Sequence, residues 1–173
     1  MKGRALAALA LLLLLGACSA KPVAQQQGED APAPDLESAA IERGVIRDPS
    51  DTDLTGLYAR DTDRVCIVPD GYGYRIGVFV DYGDPIVCSG SGKVSRSGET
   101  LRIELGKDGK CSFSAKFDGD RITFPGRVPD GCQTLCERRA SLAALNVTRL
   151  SESAAEAQAM RDSRRHNLCA TGK

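Results

Sequence analysis

Apolar and polar residues alternate through the middle of the chain. Leu101, Ile103 and Leu105 are interleaved with Thr100, Arg102 and Glu104, and Cys111, Phe113, Ala115 and Phe117 with Lys110, Ser112, Ser114 and Lys116. A period of two puts one set on a buried face and the other in water, which predicts half-buried β-strands. Asp118-Gly119 then separates Phe117 from a segment holding Ile122 and Phe124. Both turn residues tolerate positive φ, so a tight hairpin is expected there. Upstream, Asp70-Gly71 divides residues 64–69 from 74–82, Gly83-Asp84-Pro85 precedes 86–95, and Ser97-Gly98 and Asp108-Gly109 supply further turns. With residues 56–60 this makes seven strands, and residues 142–150 form an eighth after a longer connection, 126–141. Short connections make successive strands antiparallel neighbours. The predicted fold is therefore mainly β, an up-and-down meander of about eight strands closing into a small barrel. Gly90 and Gly92, two apart in the fourth strand, are expected to let it bend sharply.

The two ends of the chain follow other patterns. Lys2 and Arg4 precede a run of Ala and Leu over residues 5–15, and Gly16 and Ala17 stand before Cys18. Charged, apolar and small regions in that order predict a secretory signal over residues 1–17. The apolar run falls short of the ~20 residues that a spanning helix needs. Residues 19–34 carry Gln25-Gln26-Gln27 and three prolines, little that would bury, and so are expected to act as a tether. Asp35 is placed to cap a short helix over 35–43, stopped at Gly44. Near the other end, Ser153-x-x-Glu156 is a capping box, and Arg161, Arg164 and Arg165 match the far end of a helix dipole. This predicts a C-terminal helix over 153–167. Its apolar stripe is only Ala and Met160, so Cys169 just beyond is expected to tie it down. The domain division is then a signal peptide over 1–17, an anchor and tether over 18–50, and a barrel domain over 51–173.

Leu15-Gly16-Ala17-Cys18 resembles the bacterial lipobox, an aliphatic residue and two small ones before a cysteine. The resemblance implies that Cys18 is diacylglycerated, that the chain is cut before it, and that the new amino terminus is acylated. Two or more acyl chains make a stable anchor, at ~0.8 kcal/mol for each buried methylene. Ser19 stands where lipoproteins retained in the inner membrane often carry Asp, so the resemblance implies the periplasmic face of the outer membrane. An ordinary signal peptide cleaved after Ala20 is the alternative.

Cysteine arithmetic supports the lipobox. Of seven cysteines, Cys18 is the odd one, and Cys66, Cys88, Cys111, Cys132, Cys136 and Cys169 remain. An even number in an oxidising compartment reads as three disulfides. In a meander, Cys66, Cys88 and Cys111 fall on the second, fourth and sixth strands. Alternate strands lie nearly 10 Å apart at the usual spacing, too far for bridged Cα atoms. Each strand cysteine is therefore expected to pair with one of Cys132, Cys136 and Cys169, with Cys66 and Cys169 the favoured pair. A local Cys132–Cys136 loop is the rival.

Charge narrows the class of partner. The chain has 23 basic and 23 acidic residues, and without Lys2 and Arg4 the remainder is slightly acidic. There is no overall basic field, which argues against nucleic acid. All eight aromatic residues fall between Tyr58 and Phe124, so the core is expected between about residues 56 and 125.

Candidate chemistry is sparse. His166 is the only histidine, with no second one to suggest a metal site or a triad, and a surface helix position is expected for it. Cys132 and Cys136 are four apart, the wrong spacing for a Cys-x-x-Cys redox pair. Asp51-x-Asp53-x-Thr55-Gly56 echoes the start of a calcium loop, but Thr62 stands where a bidentate Glu is needed, so a solvated loop beside Asp61 and Asp63 is expected. Asn146-Val147-Thr148 fits a glycosylation sequon inside a predicted strand. Ser89-Gly90-Ser91-Gly92-Lys93 lacks the spacing of a phosphate loop.

Two barrel families resemble this chain. Gly56-Leu57-Tyr58 with the late Arg149 resembles the lipocalin-like Gly-x-Trp packed under an arginine, with Tyr in place of Trp. That resemblance implies a small apolar ligand enclosed by inward residues such as Ile76, Val78, Ile103, Phe113 and Phe124. Ser89-Gly90 and Ser91-Gly92 resemble the Ser-Gly-x-x-Tyr loop of the lipoprotein inhibitors of chicken-type lysozyme, though no Tyr follows at the matching offset. Taken with the absence of convergent acids and bases, the expectation is a non-catalytic binding or interaction domain without a cofactor. It faces the periplasm, with membrane contact through lipid on Cys18. Its partner is an unidentified periplasmic protein or a small apolar ligand, and the alternative is an inhibitor-like protein or a carrier.

Overall fold

A computed structural model describes residues 35–46, 48, 51 and 53–170. The expected signal peptide, Cys18 and the tether over 19–34 lie outside the described residues. Helix α1 spans Leu36–Glu42, with the Asp35 carboxylate accepting from the Ser38 amide at 2.9 Å as its cap.

Eight antiparallel strands follow: β1 Gly56–Arg60, β2 Asp63–Asp70, β3 Gly73–Asp81, β4 Val87–Ser97, β5 Thr100–Leu105, β6 Cys111–Phe117, β7 Arg121–Thr123 and β8 Asn146–Ser151. Each pairs with the next, and β8 pairs with β1 to close the barrel. The alternation expected from sequence sets the faces. Leu101, Ile103 and Leu105 of β5, and Cys111, Phe113, Ala115 and Phe117 of β6, point inward with Tyr58, Val65, Ile67, Ile76, Val78, Ile122 and Val147. One turn and one strand end differ in detail from expectation. Strand β6 ends at Phe117 and β7 begins at Arg121, so the loop has three residues, Asp118–Asp120, rather than two. Its Asp118 carboxylate accepts from the amides of Asp120 and Arg121, and only Gly119 has positive φ. β7 ends at Thr123, and Phe124 enters the core from the following connection.

Strands β2 and β3 are buried on both faces. Behind the barrel wall, Cys66, Val68, Phe79 and Val87 form a second core with Ala157, Met160, Leu168 and Cys169 from the chain's last segment. The second core forms because β2 and β3 carry apolar residues at successive rather than alternate positions. Gly77 of β3 lies directly under this cover, where a Cβ would come within 2.5 Å of the Leu168 Cβ and 2.7 Å of the Cys66 sulfur.

The C-terminal helix is shorter than the capping box suggested. Helix α2 covers only Ala154–Ala159, with the Ser153 hydroxyl accepting from the Glu156 amide. Met160 is extended, at φ −61° and ψ 130°, and Arg161 pairs with Asn167 in a small hairpin. The expectation of helix through residue 167 is thus corrected. Residues 161–167 gain more from the hairpin and from burial of Met160 and Leu168 than from further helical bonds in an apolar-poor stretch.

Each strand cysteine is bridged to a cysteine outside the sheet: Cys66–Cys169, Cys88–Cys136 and Cys111–Cys132. The first ties the tail onto β2. The other two hold the 124–145 connection, including a 3-10 turn over Asp130–Leu135, across one end of the barrel. Cys136 also forms a rung against Cys88, and the Glu137 amide donates to the Val87 carbonyl at 2.8 Å. These contacts occupy the part of β4 that β5 does not reach, since β4–β5 pairing begins at Gly92 and Leu105. Gly90 and Gly92 permit close approach here. A Cβ on Gly90 would meet the Leu135 side chain at 3.0 Å, and one on Gly92 would meet the Glu104 carbonyl oxygen at 1.9 Å.

Candidate functional site

The barrel interior is filled. Tyr58, Val65, Ile67, Ile76, Val78, Leu101, Ile103, Leu105, Ile122 and Val147 have 0% of their surface accessible. A void large enough for a ligand would leave accessible area on the side chains lining it, and these have none. The five inward residues named from the lipocalin-like pattern pack on one another instead, with the Phe113 and Phe124 rings 4.9 Å apart edge to face.

Both ends are closed. The bridged connection covers one. At the other, the arginine-over-aromatic contact of the lipocalin-like pattern is present. The Arg149 guanidinium lies 4.8 Å over the Tyr58 ring and 5.8 Å from that of Phe117, with only 5% of its side chain exposed. It donates to the carbonyls of Thr55 at 2.5 Å and Gly119 at 2.9 Å, and Tyr58 donates its hydroxyl to the Leu54 carbonyl. Burial raises the Asp53 carboxyl, but bonds from Thr55 and Tyr74 and the Arg149 charge outweigh it and hold the group below its ordinary value.

The segment resembling a calcium loop spends its carboxylates on the backbone. Asp51 accepts from the Asp53 amide, Asp53 from the Thr55 amide, and Asp63 from the Asp81 amide. Among the described residues no group of three His, Cys, Asp or Glu is placed to hold a metal. Burial, with the charges of Asp61 and Asp81, raises the Asp63 carboxyl. Residues 89–93 lie inside β4, so the stretch resembling an inhibitory loop does not protrude. Asn146 donates its amide to the Thr123 hydroxyl across β7–β8.

What remains is an outer cleft of about 380 Å³ between β4, the 134–137 turn and the C-terminal hairpin. Its floor is Asp162, whose side chain is 7% exposed. One carboxylate oxygen accepts from the His166 amide at 2.8 Å. The other accepts from the Ser89 hydroxyl at 3.1 Å and lies 3.2 Å from His166 Nδ1. His166 Nδ1 faces the carboxylate, and the ring is 71% exposed. Ser89 binds the carboxylate and not the imidazole, so no nucleophile is set up as in a hydrolytic triad. Ser91, Thr134, Ser163 and Asn167 add neutral polar groups, and Arg164 pairs with Glu137 across the mouth. His166 therefore sits in a hairpin against a buried carboxylate, not on the helix surface expected for it. Sequence reading passed over Asp162 and Glu137, although the spacing of Asp162 and His166 was a usable signal.

Burial raises the Asp162 carboxyl, yet the hydrogen bonds from His166 and Ser89 overcome it and leave the group below its ordinary value. A depressed folded-state pKa stabilises the fold above the unfolded value of about 3.9, and that stabilisation is lost as pH falls through the folded value. The hairpin over 161–167 is thus expected to loosen in acid below about pH 4 while the barrel persists. Limited proteolysis across that range tests this, with Asp162→Asn expected to be loose at every pH. Equal protection of the wild-type hairpin at pH 3 and pH 7 would contradict it.

Compared with family models, curated proteins and solved structures, the chain finds no match in any of the three.

Proposed function

We propose that this chain is a lipid-anchored cell-envelope lipoprotein whose barrel is a non-catalytic binding or interaction domain facing the periplasm. The single observation that carries the binding reading is the filled interior, which leaves recognition to the outer surface. It disfavours the carrier alternative, because a small apolar ligand would have to displace core side chains. Residues 89–93 lying within β4 likewise disfavour the inhibitor alternative. The cleft at Asp162 supports binding over catalysis, because its serine is committed to the carboxylate.

The anchoring part rests on the Leu15-Gly16-Ala17-Cys18 sequence and on the six other cysteines being accommodated in three bridges. Expressed as the full chain in a Gram-negative bacterium, the protein is expected in the outer-membrane fraction, with Cys18→Ser shifting it out of that fraction. Intact mass should show a lipid adduct on a chain beginning at Cys18, and reduction should add six protons. An unmodified chain retaining residues 1–17 would overturn anchoring, and six free thiols before reduction would overturn the bridged barrel.

A further inference from the structure

The tail that builds the second core covers only part of the barrel wall. Beyond it, the outer face of β4 stays open, with Lys93, Ser95 and Ser97 exposed, and β3 and β5 place charged side chains on either side. In register, Arg75 of β3 stands opposite Lys93, and Lys93 stands opposite Glu104 of β5. Like charges directly across a strand pair repel, so the placement of Arg75 beside Lys93 works against the fold. Arg75 pairs with Asp70 at 2.9 Å, and Glu104 with Arg102 at 3.7 Å. Lys93 is left over. It makes no ion pair or hydrogen bond among the described residues, and neither does the exposed Lys107 on the β5–β6 turn.

Small residues make a trough between these side chains. Ser91, Gly92, Gly106 and Gly109 floor a depression of about 440 Å³, and Arg75, Lys93, Glu104 and Lys107 rim it. Lys93 and Glu104 also line a second depression, of about 360 Å³, together with Asp70 and Arg102. The second shares Tyr74, Val94 and Ser95 with a third, which ends at Tyr72 and Gly98. The three follow β4 from Ser91 to the turn after Ser97, a length of roughly 20 Å at about 3.3 Å per residue. Tyr72, on the β2–β3 turn at the far end, is fully exposed.

Charge and length define the occupant. Arg75, Lys93, Arg102 and Lys107 line the trough against only Asp70 and Glu104, a cationic strip on a chain that is otherwise balanced. The Arg102–Glu104 contact is long and exposed, so an incoming carboxylate competes for that guanidinium at little cost. A small anion would fill one end only, whereas roughly 20 Å matches an extended peptide of about seven residues. A run of stacked bases would need a series of aromatic platforms, and the only rings are Tyr72 and the half-buried Tyr74, both at one end. We infer that the trough along β4 binds an extended acidic segment of a partner protein, with its carboxylates on Lys93, Lys107 and Arg102 and an apolar residue against Tyr72. This rests on the domain being an interaction module and is independent of how the chain is anchored.

The test uses the full chain with its bridges intact and a heptapeptide of one leucine and six glutamates, blocked at both ends. Calorimetric titration should show saturable binding that weakens at least tenfold as salt rises from about 20 to 200 mM, because the contacts are exposed and screened. The double variant Lys93→Gln, Lys107→Gln should lose at least tenfold in affinity. Its melting temperature should hold or rise, since the repulsion between Lys93 and Arg75 is gone. Unchanged affinity in that variant would overturn the site. Equal affinity for a six-lysine counterpart, for inorganic phosphate or for a single-stranded DNA oligomer would overturn the acidic-peptide assignment. Tyr72→Ser should weaken the leucine-bearing peptide and leave hexaglutamate unchanged, and no effect on either would remove Tyr72 from the site. Absence of peptide binding overturns this inference alone, because fractionation and intact mass decide the anchored reading.

Discussion

Arg149→Ala is expected to cost about 3–5 kcal/mol of stability, from buried carbonyls left unpaired together with the packing lost beside the rings. The guanidinium joins three separated parts of the chain: β8 that carries it, the entry to β1 through Thr55, and the β6–β7 loop through Gly119. Its removal leaves those carbonyls facing a cavity beside the Tyr58 and Phe117 rings. Unpaired buried acceptors and lost packing act in the same direction. Arg149→Lys should recover only part of the loss, because an ammonium cannot reach two carbonyls in the plane of a fork while stacking on a ring. Urea denaturation of wild type and both variants measures this. A loss below about 1 kcal/mol for the alanine variant, as for an exposed ion pair, would show that the contact does not close the barrel.

That contact was partly legible in the sequence, because Tyr58 and Arg149 stand at the first and last strands in a pattern with a known partner role. The strand order was legible for a local reason: each hairpin is short, and alternation fixes which face is buried. The second core was harder to see. Val65-Cys66-Ile67-Val68 and Ile76 through Val80 are apolar at successive positions, which signals burial on both faces, but nothing near them in sequence says what covers the outer one. The cover comes from residues 157–169, about a hundred positions away, and reads locally as the poor end of an amphipathic helix. Capping rules found where α2 starts. They gave no stop, because Met160 leaves the helix for tertiary burial.

The candidate cleft was hidden in a different way. Ser89, Glu137, Asp162 and His166 come from three separate stretches, and no single-sequence motif spans them. Overall charge also misled at this scale. A nearly balanced total excluded a general basic field, yet it conceals clustering along the chain, with Asp61, Asp63, Asp81 and Asp84 around the β1–β2 and β3–β4 turns and five arginines within residues 138–139 and 161–165. Positive φ at Arg138 and Arg165 is a property of turns that no propensity rule assigns to arginine.

Gly77→Val is the substitution expected to couple fold to cleft most directly. Gly77 is the one place where β3 lets the tail lie flat, and an added Cβ would also stand 3.0 Å from the Leu168 backbone carbonyl carbon, which is not free to rotate away. Because Cys66–Cys169 holds the tail in place, the strain must be absorbed by lifting Leu168 and Met160 off Val68 and Phe79. Overpacking and lost apolar burial together suggest a cost on the order of 3 kcal/mol. The hairpin over 161–167 follows the tail, so protease sensitivity there should rise, while the barrel's own cooperative unfolding remains. Gly73→Ala, on the same strand with open space around it, should change stability by no more than about 0.5 kcal/mol. Leu168→Gly, which removes the Cβ that the added side chain would meet at 2.5 Å, should relieve part of the Gly77→Val clash, giving a double variant more stable than the two separate losses predict. Strictly additive losses would show that the tail does not bear on Gly77 and would remove the mechanical link between the second core and the cleft.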